Sequence, residues 1–202
     1  CRQGKTRKEI AELMNVTIRT VQNYLKKTGI YPKDDRRMPN LNEDYFSVID
    51  NEEKAYLLGF LFADGYLETN ERTLTLNVSE KDVDILHKLK VALDCGNEVR
   101  KSSTKNCVRL YMSSMKLVSD VKKLGLKRGK SHTIRFPDIE EHLYRHFLRG
   151  YFDGDGHVGV RQCALVIGSD LFYKDFCDFM RQKFNKKLYV NKKTNYYRVQ
   201  FN

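Results

Sequence analysis

The sequence predicts an α/β domain of the α+β kind, built from two similar halves and preceded by a small helical segment. Three observations carry this reading. One order of helix, strand, helix and strands recurs along the chain. Each copy opens with a helix that ends in Asp-Gly. Residues 1–30 show apolar residues at helical spacing only.

In that first segment, Arg7 to Met14 and Ile18 to Lys27 read as two short helices. Their apolar faces are Ile10, Leu13 and Met14, then Val21, Tyr24 and Leu25. Thr17 is placed to cap the second helix, and Asn15-Val16 forms the turn. The pair resembles a helix-turn-helix. Its second helix would offer Arg19, Thr20, Asn23 and Lys26 to DNA, with Gln22 at the margin. Residues 31–46 read as a linker, because they hold Pro32, Pro39 and the run Lys33-Asp34-Asp35-Arg36-Arg37 without an apolar period. Residues 47–202 form the main domain, with halves at about 47–135 and 136–202.

The first copy follows its opening helix with a strand near Leu74 to Val78 and a helix from Asp82 to Leu93. Strands near Glu98 to Arg100 and Val108 to Met112 come next, then a helix from Met115 to Leu124. The second copy repeats this with a strand near Ala164 to Ile167, a helix from Leu171 to Phe184, and strands near Leu188 to Val190 and Tyr197 to Phe201. Val108-Arg109-Leu110 aligns with Tyr197-Arg198-Val199. The matching last helix would begin near Asn202, so either the chain is a fragment or its second half is shortened.

The opening helices read Leu57-Leu58-Gly59-Phe60-Leu61-Phe62-Ala63-Asp64-Gly65 and Leu148-Arg149-Gly150-Tyr151-Phe152-Asp153-Gly154-Asp155-Gly156. Small residues stand four apart in each: Gly59 with Ala63, and Gly150 with Gly154. Residues at that spacing share a helix face and let two backbones approach. Glycine within a helix costs about 0.5–1 kcal/mol against alanine, so such pairs suggest an interface. The terminal glycines suit left-handed C-caps. The terminal aspartates do not suit their places, because the negative end of the helix dipole disfavours a carboxylate by a few tenths to about 1 kcal/mol. Side by side the two would also repel. A divalent cation between them removes both penalties, and hard oxygen ligands select Mg²⁺ or Ca²⁺.

Carrying these paired motifs, the sequence resembles the LAGLIDADG homing endonucleases in their single-chain, two-motif form, over about Lys54 to Asn202. Leu124-Gly125-Leu126, Gly129-Lys130-Ser131, and Phe136-Pro137 leading to His146-Phe147-Leu148-Arg149-Gly150 are further family-like stretches. The resemblance implies two pseudo-symmetric αββαββα halves, joined through the motif helices and forming a saddle over DNA. It implies that Asp64 and Asp155 bind the catalytic metal, with the carbonyls of Ala63 and Gly154 beside them. Mg²⁺ is the expected cofactor, and Ca²⁺ is expected to occupy the site without turnover. Phe62 stands where the consensus has its first Asp, whereas Asp153 keeps it; that position varies in the family.

Lys130 is the candidate for steadying transition-state charge, with Lys101 and Lys192 as rivals near the ends of equivalent strands. Alternation along the strands nominates Arg100, Ser102, Arg109 and Tyr111 for base contacts in the first half, and Tyr189, Asn191, Arg198 and Gln200 in the second.

Bulk properties agree with a nucleic-acid partner. The net charge is +11 and the pI about 9.4, a balance that favours a polyanionic partner without separating DNA from RNA or an anionic membrane. A hydrophobic content of 41% is enough for a packed core and argues against disorder. No apolar run approaches the roughly 20 residues that span a bilayer, and no signal peptide is recognisable. Cys1, Cys95, Cys107, Cys163 and Cys177 are scattered, without zinc-site spacing. They read as reduced thiols of a cytoplasmic, nucleoid-associated monomer acting on double-stranded DNA. Beside the nuclease reading stand a DNA-binding transcriptional regulator and an RNA-splicing maturase on the same scaffold. An intein piece is also suggested by Cys1 and Asn202, but Phe201 stands where the usual penultimate histidine would be.

Overall fold

The computed structural model describes residues 7–28, 40–129, 133–160, 162–185 and 188–201. The chain divides into two compact units, Cys1–Asn40 and Leu41–Asn202.

In the first unit, helices α1 (Arg7–Leu13) and α2 (Ile18–Thr28) are joined by a turn in which Asn15 adopts φ 51°. The Thr20 amide donates to the Thr17 hydroxyl at 3.1 Å, which is the expected cap. The apolar faces are less buried than their spacing predicts. Ala11 and Val21 are buried with Ile10 packed against them, but Leu13, Met14 and Tyr24 are each about two-thirds exposed. Two short helices touch along one line and cannot cover both faces of each other.

The second unit begins earlier than the expected end of the linker. Phe46 is wholly buried, and the Asn42 amide donates to the Leu93 carbonyl. Residues 41–46 therefore belong to the packed domain. Helix α3 (Glu52–Asp64) follows, capped by Asn51, whose side chain accepts from the Lys54 amide.

Then come β1 (Gly65–Leu67), β2 (Thr73–Ser79), α4 (Val83–Ala92), β3 (Arg100–Lys101), β4 (Cys107–Ser113) and α5 (Met115–Lys123). The second half repeats the order with α6 (Tyr144–Asp155), β5 (Gly156–Val158), β6 (Cys163–Ile167), α7 (Asp170–Phe184), β7 (Tyr189–Lys192) and β8 (Tyr197–Phe201). Each half holds a four-stranded antiparallel sheet, in the orders β1-β2-β4-β3 and β5-β6-β8-β7. Separate antiparallel sheets with helices on one face make this an α+β fold.

Within the two sheets and at the ends of the motif helices, sequence and structure differ as well. The short strands β1 and β5 were not foreseen, because three residues are too few to display alternation. The third strand of each half lies later than expected, so Glu98, Val99 and Leu188 precede β3 and β7. Gly65 and Gly156 are not left-handed caps. Their φ/ψ values of −71°/151° and −88°/160° are extended, and each begins a strand. The glycines are needed for space. A Cβ at Gly65 would stand 2.6 Å from the Leu61 carbonyl oxygen, and one at Gly156 would stand 2.2 Å from that of Phe152.

The core lies between each sheet and its helices. Leu74, Leu76, Leu110 and Met112 meet Leu86, Leu89, Leu117 and Val121 in the first half, all at 1% exposure or less. An aromatic cluster fills the second half, where Phe136 packs on Tyr144, Phe147, Phe172, Phe176 and Phe179.

Candidate active site and nucleic-acid face

Helices α3 and α6 pack through the small residues picked out by their spacing. A Cβ added at Gly59 would lie 2.0 Å from the Phe147 carbonyl oxygen and 2.8 Å from the Tyr151 nitrogen. One at Gly150 would lie 1.9 Å from the Tyr56 carbonyl oxygen and 3.0 Å from the Phe60 nitrogen. At Gly154 it would meet the Ala63 Cβ at 2.4 Å and Asp64 Oδ2 at 3.1 Å. Backbone thus meets backbone at Gly59 and Gly150, as the four-residue spacing allows. The Asp64 carboxylate is set directly against the residue that precedes Asp155. Both aspartates end their helices and are partly buried.

Each aspartate opens into its own cavity. That of Asp64 holds about 550 Å³ and is lined by Tyr56, Asn77, Ser79, Lys81, Asp82, Asp84, Asp153 and Gly154 among others. That of Asp155 holds about 390 Å³ and is lined by Phe62, Ala63, Tyr151, Val166, Ser169, Asn195 and Tyr196 among others. The two are related by the internal repeat. Each combines the aspartate of one motif helix, the small residue before the other aspartate, and the start of the half-domain's second helix. Among the described residues, no three His, Cys, Asp or Glu side chains are grouped to hold an ion.

The difference between Phe62 and Asp153 has a packing reason. Phe62 is 1% exposed and meets Phe147 edge-on at 5.3 Å. Asp153 is exposed and accepts a 2.9 Å hydrogen bond from the Tyr56 hydroxyl, whose ring lies under Arg149 at 4.9 Å. Burial, reinforced by Asp153, pushes that hydroxyl up to about 12.

Strand register decides which side chains share a face. Arg109 stands opposite Asn77 on one side and Arg100 on the other. Arg198 stands opposite Val166 and Asn191. Val108, Leu110 and Met112 are buried and alternate with partly exposed Arg109 and Tyr111; buried Tyr197 and Val199 alternate with Arg198 and Gln200. Arg109, Tyr111, Arg198 and Gln200 therefore point away from the core, as alternation along the strands requires. Arg100 and Tyr189 are exposed across from Arg109 and Gln200, Asn191 is exposed across from Arg198, and Ser102 lies just past β3, its amide bonded to the Cys107 carbonyl.

Among the described residues, the Nε groups of Arg109 and Arg198 are both buried without a hydrogen-bond partner, and so is Oδ1 of Asn77. Sequence reasoning did not single out Asn77, which has no motif to mark it. Its register opposite Arg109 and its place beside Asp64 are what distinguish it.

Lys101 and Lys192 prove to be register equivalents, opposite Val108 and Tyr197 respectively. Lys192 also lies over the Tyr197 ring at 5.2 Å. Lys130 falls outside the described residues, as does the side chain of Lys26. Arg19, Thr20 and Asn23 are exposed on α2, and the Thr20 hydroxyl hydrogen-bonds that of Thr17 at 2.9 Å. No helix among the described residues is long and apolar enough to cross a membrane.

Residues 142–201 match a family model described as a LAGLIDADG-like domain. The chain is 27% identical over 220 residues to the probable translation initiation factor IF-2 of Methanocaldococcus jannaschii, a match covering 91% of this chain and 18% of that protein. It is 26% identical over 161 residues to the replication factor C small subunit of the same organism, covering 74% of this chain and 9% of that protein. It thus spans less than a fifth of the length of either relative. Among solved structures, I-DmoI in complex with DNA and Ca is similar, with a TM-score of 0.50 and 12% identity over 79% of this chain and 83% of that one. At that identity the likeness speaks for the fold.

Proposed function

We propose that this chain, which has the LAGLIDADG fold and matches a LAGLIDADG-like family model over residues 142–201, is a site-specific double-stranded DNA endonuclease of the homing type. Asp64 and Asp155 are its metal-binding carboxylates. The observation that carries this reading is the contact of α3 and α6. Helices joined backbone to backbone set the Asp64 carboxylate against Gly154, next in sequence to Asp155, at the unfavourable dipole ends of both helices, an arrangement costly for a protein that only binds.

The residues present fit a hard divalent cation. Asp64 shares its cavity with Asn77 and Gly154, and Asp155 shares the other with Ala63, so the groups that would hold the ion offer hard oxygen donors. Mg²⁺ commonly takes few protein carboxylates and completes its shell with water and phosphate; Ca²⁺ would fill the site without turnover. When bound, the metal supplies water activation and charge neutralisation for phosphodiester hydrolysis.

The protein's own contributions are position and charge. Arg109 and Arg198, half-exposed on the sheet faces away from the core, are suited to DNA phosphate or base edges, alongside Arg100, Ser102, Tyr111, Tyr189, Asn191 and Gln200. Lys130 remains the candidate to steady charge, with Lys101 and Lys192, register equivalents in the two halves, as its rivals. A net charge of +11 draws the chain to DNA and to the nucleoid, in the cytoplasm and as a monomer.

The matched relatives have names describing unrelated activities, which suits a module carried within larger hosts. The exposed Arg19, Thr20 and Asn23 of α2 favour a second reading, a DNA-binding regulator on this scaffold. Incubation with a library of duplex sites plus Mg²⁺, reading binding and cleavage separately, distinguishes the two. Cleavage lost in D64N and D155N supports the nuclease. Tight, selective binding with no cleavage under any divalent metal supports the regulator.

A further inference from the structure

The outward face of the first sheet, on which Arg100, Arg109 and Tyr111 stand, also carries an acidic side chain. In β1 exposed Tyr66 alternates with buried Leu67, so Glu68, next in the chain, turns to the Tyr66 side. The Glu68 amide extends the ladder by donating to the Thr73 carbonyl at 2.9 Å. Its carboxylate accepts a 3.1 Å hydrogen bond from the Thr75 hydroxyl. Thr75 is 0% exposed and stands between Tyr66 and Tyr111 in the sheet. The Tyr111 ring in turn lies under Arg109 at 5.0 Å. Glu68 itself is only partly buried.

The second half lacks this arrangement. Strand register matches Gly65 and Leu76 with Gly156 and Leu165, and hence Tyr66 with His157, Thr75 with Ala164 and Glu68 with Gly159. The Gly159 amide makes the matching backbone bond, to the Gln162 carbonyl at 2.9 Å. The carboxylate and its anchoring hydroxyl are both missing from the equivalent positions.

We propose that Glu68 is a specificity-determining residue that accepts the exocyclic amino group of a cytosine in the half-site under the first sheet, with Thr75 as its positioning residue. This rests on the outward sheet face lying against DNA, as in the reading above. A carboxylate held among groups suited to phosphate opposes the DNA backbone. It becomes favourable where it meets a hydrogen-bond donor, and the donors on major-groove base edges are the amino groups of cytosine and adenine. Cytosine is the better fit, because adenine sets its N7 acceptor beside the amino group and a carboxylate has no proton to offer it. The Thr75 donor is a neutral hydroxyl, so it orients the carboxylate without cancelling its charge. With Gly159 and Ala164 in the equivalent places, the cytosine is required on one side of the target only.

The experiment selects duplexes from a randomised library with the full chain and compares the base preferred at each position with that of two variants. The wild type is expected to favour cytosine at one position, in one half-site, by about tenfold or more, the scale of one good base contact. Glu68→Gln keeps an oxygen that can accept from Thr75 but adds an amide donor. It should move the preference at that position alone toward adenine, whose N6 and N7 suit an amide, and bind random-sequence duplex more tightly because a charge opposing phosphate is gone. Thr75→Val removes the anchor at nearly constant volume, and should lower the cytosine preference severalfold while leaving other positions unchanged.

If T75V is poorly folded by circular dichroism, E68A takes its place and should level the four bases at that position. Identical profiles for wild type and E68Q overturn the proposal. So does selectivity lost evenly over all positions, which would mark Glu68 as a structural partner of Thr75, and so does an adenine favoured there by the wild type. A wild-type chain that binds duplexes with no base preference sinks the site-specific reading and the proposal together, whereas selective binding with an unchanged E68Q profile sinks the proposal alone. The selection reads binding only, so it decides the role of Glu68 whether or not the chain cleaves.

Discussion

Gly150→Ala is the most direct probe of how the two aspartates are brought together. The added Cβ would stand 1.9 Å from the Tyr56 carbonyl oxygen and 3.0 Å from the Phe60 nitrogen. Both are helix backbone and cannot rotate aside as a flexible side chain would. Recovering an ordinary contact near 3.4 Å requires α3 and α6 to separate locally by roughly 1.5 Å. Overpacking of this kind costs about 1–3 kcal/mol or more. The better helix propensity of alanine returns about 0.5–1 kcal/mol. The net loss should then be about 1–2 kcal/mol or more, lowering Tm by roughly 2–8 °C for a chain of this size.

Cleavage should suffer more than stability, because misplacing catalytic groups by about 1 Å can cost 10²-fold in rate. The assay is thermal unfolding alongside a single-turnover cleavage rate. Gly159→Ala is the control: its Cβ would meet nothing closer than 3.5 Å, and it should change stability by less than about 0.5 kcal/mol. A G150A protein as stable and active as the parent would refute the close approach of these helices.

Three further outcomes are expected. Arg109→Ala and Arg198→Ala should each weaken DNA binding, seen by fluorescence anisotropy, and cut the slope of log affinity against log salt by about one if the contact is to phosphate; an unchanged slope and affinity would remove these residues from the interface. Deleting residues 1–40, a separate compact unit, should weaken binding and flatten its salt dependence while leaving metal-dependent cleavage intact, and identical binding curves would mark the unit as a plain helical hairpin. Asp120 is 6% exposed and held below its ordinary value by Lys116 and then Lys123, at 2.7 and 3.0 Å, so its contribution to stability is fully present above about pH 4 and is lost as pH falls through the lower folded-state value. Asp120→Asn should flatten the acid limb of a stability-against-pH curve, and an unaltered limb would show that the pair contributes nothing.

The sequence by itself determined the features whose cause is local or periodic. Residues four apart share a helix face wherever the helix lies, so Gly59, Ala63, Gly150 and Gly154 were legible as an interface before any partner was known. A carboxylate at a helix C-terminus is unfavourable whatever surrounds it, and that set Asp64 and Asp155 apart. Two-residue alternation put Arg109 and Arg198 on the face away from the core. Tertiary structure alone decided what stands beside these residues, because such neighbours come from strand register and helix contact between positions far apart in the chain. It showed that Gly65 and Gly156 serve space and not left-handed geometry. It placed Asn77 in the cavity of Asp64, and turned Phe62 into the core while Asp153 faces Tyr56. The near-symmetry of the two halves is written in the motifs, and the difference between Phe62 and Asp153 acquires its physical reason only where the halves are packed together.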